Sequence, residues 1–196
     1  MSWIITKRST VKEVYQFKIA LQGISPSVWR RIQVSGDYTF DELHNDIQLA
    51  MGWTNSHLHE FQIGSTRIGM KSEEFEIYDD YDEMLDETKE KISTWFTPKS
   101  KASYLYDFGD SWEHSVTLEK IFEPKSKELY PICTAGKRAC PPEDCGGVWG
   151  YKEILNAFEA KKNKKKLDDD MRELIEWSRI KDPEKFNPEK VVFYKL

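Results

Sequence analysis

The sequence predicts an α+β domain: a mainly antiparallel sheet built from hairpins, packed with one helix from the N-terminal half and two C-terminal helices. Three observations predict it. Val14 to Leu21 alternates Tyr15, Phe17, Ile19 and Leu21 with Gln16, Lys18 and the small Ala20, the period of a half-buried strand. Two runs of β-forming residues flank Phe108-Gly109-Asp110-Ser111, which supplies the glycine and short polar side chains of a tight reversal. Thr39 and Glu42 form a capping box ahead of the apolar stripe Phe40, Leu43, Ile47 and Met51, and Gly52 ends that helix. At 196 residues the chain can bury a real core, and residues 1–196 read as a single domain.

In chain order, the residues before Val14 read as a frayed lead-in. Pro26 lies in the connection to a second strand, Val28 to Val34, which completes a hairpin and carries Trp29, Arg30 and Arg31. After the capped helix, His57 to Ile63 alternates again, so His57 and His59 are expected on one strand face, two residues apart. Glu73 to Glu90 is acidic and poor in periodic apolar residues and reads as a surface excursion. A short element spans Ile92 to Phe96. The central hairpin then runs through Tyr104 to Val116, with Trp112, His114 and Val116 sharing one face of its outgoing strand.

Ala135 to Gly147, AGKRACPPEDCGG, carries a Pro-Pro and a Gly-Gly pair and is expected to be a long irregular loop, packed against the hairpin as one wall of a pocket. From Val148 the pattern turns helical, with Tyr151, Ile154, Leu155 and Phe158 on one side. Asp168 to Asp170 then suit a second helix N-terminus, followed by Met171, Leu174, Ile175 and Trp177 as its buried stripe. Asp182-Pro183 stops it, and Val191 to Tyr194 reads as a closing edge strand.

With 29 basic and 34 acidic residues, the formal charge of −5 lacks the basic bias of a domain that lives on nucleic acid. No stretch resembles a signal peptide, and no apolar run reaches the roughly 18 residues of a membrane span. Cys133, Cys140 and Cys145 make an odd count that suits a reducing compartment, so the chain is expected to be cytoplasmic, with no membrane partner.

Four blocks carry a family resemblance: VWRRIQV (Val28 to Val34), DELHNDIQLAMGWTNSHLHEF (Asp41 to Phe61), YDFGDSWEH (Tyr106 to His114) and YPICTAGKRACPPEDCGGVWGY (Tyr130 to Tyr151). With them the chain resembles the plasmid pRiA4b ORF-3-like family, whose members often accompany transposons and plasmids and are sometimes labelled resolvase-like. The resemblance implies one α+β domain. It brings no assigned reaction and no catalytic residues to carry over.

The residues themselves offer a candidate ligand pocket of Tyr106, Asp107, Asp110, Trp112, His114, Glu143 and Asp144, at the hairpin and the proline-rich loop. His57, His59 and His114 are donor types for zinc or another divalent metal, although no CxxC pair exists and the cysteine gaps fit no standard finger. No other cofactor is expected. Against these stand blander roles: buried, hydrogen-bonded histidines, cysteines that fill a folded loop, Asp107 and Asp110 bonded to turn amides, and Glu143 and Asp144 capping the next helix. Arg30, Arg31, Lys164 and Lys165 are the cations that could meet phosphate, weighed against a solvated helix end balanced by Asp168 to Asp170. Asp107-Phe108-Gly109 spells a kinase magnesium motif without the glycine-rich and catalytic loops such an enzyme needs. No nucleophilic serine or tyrosine stands among arginines as a resolvase requires. Two functions therefore compete. One is a non-catalytic binding or accessory module for a small ligand, a peptide or a nucleic-acid end. The other is a metal-assisted hydrolase or nuclease using His57, His59, His114 and nearby carboxylates.

Overall fold

The computed structural model describes residues 11–71, 84–126 and 128–194. Strands β1 (Val14–Leu21) and β2 (Trp29–Ser35) form the first hairpin, with Val14 opposite Ser35 and Ala20 opposite Trp29. Helix α1 (Phe40–Met51) begins at the expected capping box. Thr39 Oγ1 accepts from Glu42 N at 3.3 Å, and Glu42 Oε2 accepts from Thr39 N at 2.9 Å. Gly52 ends the helix at φ 87°, a left-handed conformation free of steric cost only without a Cβ. Phe40, Leu43, Ile47 and Met51 are all buried.

Strand β3 (His59–Ile63) turns through Gly64 into β4 (Thr66–Gly69), and the short β5 (Leu85–Asp86) pairs parallel to β4. The strand starts at His59 and not at His57. Pairing of β3 with β6 (Lys101–Tyr106) ends where His59 faces Tyr106, so His57 stays in the preceding loop. Of the acidic stretch read as a surface excursion, residues 73–83 lie outside the described residues. The remainder departs from that reading, with Met84 and Glu87 buried. Phe40 N donates to Glu90 O and Asp41 N to Glu87 O, so this segment takes up amides that begin α1. A single helical turn, α2 (Ile92–Trp95), follows.

Strands β6 and β7 (Trp112–Phe122) make the expected central hairpin, and the other edge of β7 pairs with β1 from Leu21 opposite His114 to Val14 opposite Phe122. β8 (Ile132–Lys137) pairs with the outer edge of β2, which overturns the expectation of a wholly irregular Ala135 to Gly147. The free β2 edge offers ladder partners that the local glycine cannot veto, and the irregular part narrows to residues 138–146. Among the described residues the sheet order is β5-β4-β3-β6-β7-β1-β2-β8. One face stacks Phe17, Ile19, Phe61, Tyr104, Tyr106, Trp112, Val116 and Leu118 beneath α1, all of them buried. Ring contacts such as Phe40 on Phe61 (centroids 5.0 Å) and Phe17 on Phe96 (4.8 Å) close this core.

Helices α3 (Gly147–Lys162) and α4 (Asp169–Ser178) pack on each other, and Asp168 Oδ1 caps α4 by accepting from Met171 N at 2.8 Å. The stripe expected on α4 is incomplete: Trp177 is 49% exposed, because α4 rests on α3 and only a narrow row is covered. The segment Val191 to Tyr194, expected as an edge strand, follows a 3-10 turn (Pro188–Lys190) and joins no ladder, although Val191 and Phe193 pack on the core.

Arg30 is buried, which removes it as a phosphate contact. Its guanidinium donates to Ala50 O (3.0 Å), Trp29 O (2.9 Å) and Lys137 O (3.2 Å) and lies 3.7 Å over the Phe186 ring. Arg31, on the other face, is held bidentately by Glu119 at 2.6 and 2.8 Å. Lys164 and Lys165 stand exposed beyond α3.

Candidate functional site

Three irregular segments meet at one end of the central hairpin: the loop after α1 (residues 52–58), the turn Asp107 to Ser111, and the loop at residues 138–146. Trp53 ties the first to the third. Its ring stacks on Tyr106 (5.0 Å, 20°) and its Nε1 donates to Pro141 O at 2.9 Å. Glu143 extends the tie, because Oε2 accepts from Thr54 N (2.9 Å) and Thr54 Oγ1 (2.7 Å) while Oε1 accepts from Tyr106 OH (2.6 Å). The same tyrosine oxygen accepts from Ser56 N at 3.0 Å. Asp107 builds the turn, as its Oδ1 accepts from Gly109 N and Asp110 N, and its own amide donates to Leu58 O. Asp110 Oδ2 accepts from Gly146 N at 3.2 Å. A Cβ on Gly147 would lie 2.5 Å from Asp110 O, so only glycine allows the loop this close to the hairpin.

Between these segments sits a mixed imidazole and carboxylate cluster. His57 Nε2 is 3.2 Å from Asp144 Oδ1 and 3.7 Å from Asp107 Oδ2, and one donor atom of each residue lies within 4.8 Å of the others. The 3.2 Å contact is not aligned for a hydrogen bond. His57 Nε2 is enclosed and, among the described residues, without a hydrogen-bond partner. Asp107 commits Oδ1 to the turn and leaves Oδ2 for this cluster. Asp107 and Asp144 both sit at positive φ (57° and 58°), a conformation that aspartate tolerates better than most residues.

The other expected ligands lie elsewhere. His59 is buried, stacked face to face on His44 (3.3 Å, 3°), with Nε2 2.6 Å from Glu87 Oε2. His114 is buried beneath Trp53 and Tyr104, its Nδ1 3.0 Å from Trp112 O. Burial holds the His59 and His114 imidazoles down to about 4, and that of His44 down to about 3. The three histidines expected as one metal set are therefore not brought together. Tyr106, Trp112 and His114, expected to line a pocket, are buried in the core beneath the loops. Asp107, Asp110, Glu143 and Asp144 do converge. Glu143 and Asp144 do not cap α3: Gly146 occupies the N-cap and Asp110 takes its amide.

Cys133, Cys140 and Cys145 are free and partly buried, and burial pushes the Cys140 and Cys145 thiols up to about 12, as suits loop filling. The groove of about 860 Å³ lined by Tyr38, Leu129, Ile132, Val191 and Phe193 contains none of the cluster residues. Sequence reasoning missed Thr54, Asn55 and Ser56, whose signal was a run of small polar residues directly after the helix stop Gly52-Trp53. It also missed His44, which nothing but its place in α1 announced. Among the described residues no helix is long and apolar enough to cross a membrane.

The family model described as "Plasmid pRiA4b ORF-3-like protein" matches residues 13–191. The uncharacterized protein y4hQ of Sinorhizobium fredii is 37% identical over 150 residues, covering 76% of this chain and 74% of that protein. The crystal structure of MM3350, a protein of unknown function from Methanosarcina mazei Go1, is similar with a TM-score of 0.81 and 42% identity, over 94% of this chain and 100% of that one.

Proposed function

The chain belongs to the plasmid pRiA4b ORF-3-like family, and we propose that it is a non-catalytic binding or accessory module of the mobile-element-associated type, whose working face is the junction of the three loops and holds a divalent cation on His57, Asp107 and Asp144. The observation that carries this reading is the His57 Nε2 atom, enclosed and without a hydrogen-bond partner among the described residues, facing two carboxylate oxygens at 3.2 and 3.7 Å. Two donors bound at about 2.1 Å to one ion, at angles between octahedral and tetrahedral, stand roughly 3 to 3.5 Å apart, close to this spacing. One imidazole nitrogen with two carboxylate oxygens suits zinc, manganese or a related ion. Such a set leaves coordination positions for an outside ligand that carries oxygen donors, a small anion, a peptide carboxylate or a nucleic-acid end.

Catalysis is the weaker reading. A hydrolase would need a base beside the open positions, and Glu143, the nearest further carboxylate in sequence, already accepts from Thr54 and Tyr106. Titration of chelator-treated, untagged protein with Mn²⁺ and Zn²⁺ by calorimetry tests the proposal. One ion per chain is expected, lost in His57→Ala and in Asp144→Asn and weakened in Asp107→Asn, which keeps the turn acceptor. Absence of binding by the wild type, or undiminished binding by all three variants, overturns it.

A further inference from the structure

The loop that carries His57 is held from below by a closed ring of hydrogen bonds. Asn55 Oδ1 can only accept, so the 2.6 Å contact makes His44 Nε2 the donor. His44 Nδ1 is then the acceptor for Tyr104 OH at 2.9 Å, and Tyr104 OH accepts from Gln48 Nε2 at 2.9 Å. Gln48 Oε1 accepts from Asn55 N at 3.2 Å and closes the ring. Gln48, Tyr104 and His44 are buried, so every partner is fixed by the core, and the face-to-face stack on His59 sets the plane of the His44 ring. Asn55 is the one exposed member. It sits at φ 57°, two residues before His57, and both its backbone and its side chain are engaged. Its neighbours are fixed from other directions, Thr54 by Glu143 and Ser56 by Tyr106.

We propose that Asn55, held by His44, Gln48 and Tyr104, is the positioning residue of the His57 arm, so that a ring buried in the core determines whether His57 meets Asp107 and Asp144 at ligand spacing. The inference rests on the cation reading for its consequence and stands on the ring for its mechanism. Without the ring, the arm would stay anchored at its ends, Trp53 on Pro141 and Leu58 on Asp107, and through Glu143 and Tyr106, but Asn55 would be released and the residues around it would sample more conformations, which costs a preorganised site its affinity. Asn55 itself touches no ligand position.

The test uses Asn55→Gly, which deletes the amide side chain while keeping left-handed backbone accessible, and Asn55→Asp, which retains an acceptor for His44. In metal-free protein, amide exchange at residues 54–57 should be at least about tenfold faster in Asn55→Gly, with the β6 and β7 amides unchanged and the His57 imidazole resonances shifted. Asn55→Asp should restore the exchange protection. Mn²⁺ affinity of Asn55→Gly should fall about tenfold, the lower end of the effect of losing a group that orients a ligand. Wild-type exchange protection and unmoved His57 resonances in Asn55→Gly overturn the inference. If the wild type takes no Mn²⁺, the cation reading fails, and the exchange comparison still decides the role of Asn55.

Discussion

Asp46 offers a test of how the core under α1 is built. Its carboxyl is buried on the helix, with Oδ2 lacking a hydrogen-bond partner among the described residues. Burial lifts it to about 8 from the ordinary 3.8; the facing Tyr38 opposes that rise and Glu42 adds to it. The folded chain therefore keeps a proton that the unfolded chain gives up, and stability falls as pH rises through the window between 3.8 and about 8. The slope is about 1.4 kcal/mol per pH unit, which reaches roughly 4 kcal/mol by pH 7 as an upper bound. The buried histidines act in the opposite direction. With His44, His59 and His114 held below their ordinary 6.5, the unfolded chain takes protons first as pH falls, so their cost appears in acid and is gone by about pH 7. Asp46→Asn keeps size and polarity and cannot ionise. Urea unfolding at pH intervals from 5 to 9 should show the variant gaining on the wild type steadily up to about pH 8 and holding a constant advantage above it. A difference between the two proteins that does not vary with pH would refute the reasoning.

Trp112 is fully buried in the central hairpin, and Trp112→Ala should cost about 3 to 5 kcal/mol, read as a lowered urea midpoint; an unchanged midpoint contradicts its place in the core. Lys164 and Lys165 stand exposed beyond α3 while Arg30 and Arg31 are engaged internally, so double-stranded DNA should bind weakly, without sequence preference and only at low salt. Mobility-shift titrations that find tight binding to one sequence at physiological salt would show a phosphate-binding surface other than these lysines.

Local signals were legible where the physics is local. The Thr39 to Gly52 helix announces its start in a side chain that bonds the backbone and its end in a glycine, and β1 has the predicted bounds, Val14–Leu21, although Gln16, read on the exposed face, is buried. His57 shows the limit: alternation from His57 to Ile63 continues into residues that have no partner strand, because the strand begins only where Tyr106 faces His59. Arg30 could not be told from Arg31 beyond facing the opposite way, since its burial depends on Ala50, Lys137 and Phe186, distant in sequence. Glu87 sat in an acidic run that gave no hint of its burial against His59. The candidate site was legible in part. Glu143 and Asp144 were placed against the hairpin by the stiffness of Pro-Pro and the close approach allowed by Gly-Gly, whereas the pairing of His57 with Asp144 needed two loops that sequence cannot dock.

The place of β1 in the sheet has a consequence for biosynthesis. Val14–Leu21 is made before the other strands of the sheet and finds β2 through a short connection, but its other neighbour, β7, is reached only after everything from Gln22 to Glu113 has left the ribosome. At about 5 to 20 residues per second, roughly 5 to 20 s pass during which the future centre of the sheet is an open edge backed by the apolar side chains of Phe17, Ile19 and Leu21. The nascent chain therefore passes through an interval of exposure that the finished protein does not reveal. Truncations ending before β7 should consequently be found with chaperones or in aggregates, while those that include it fold around a completed centre.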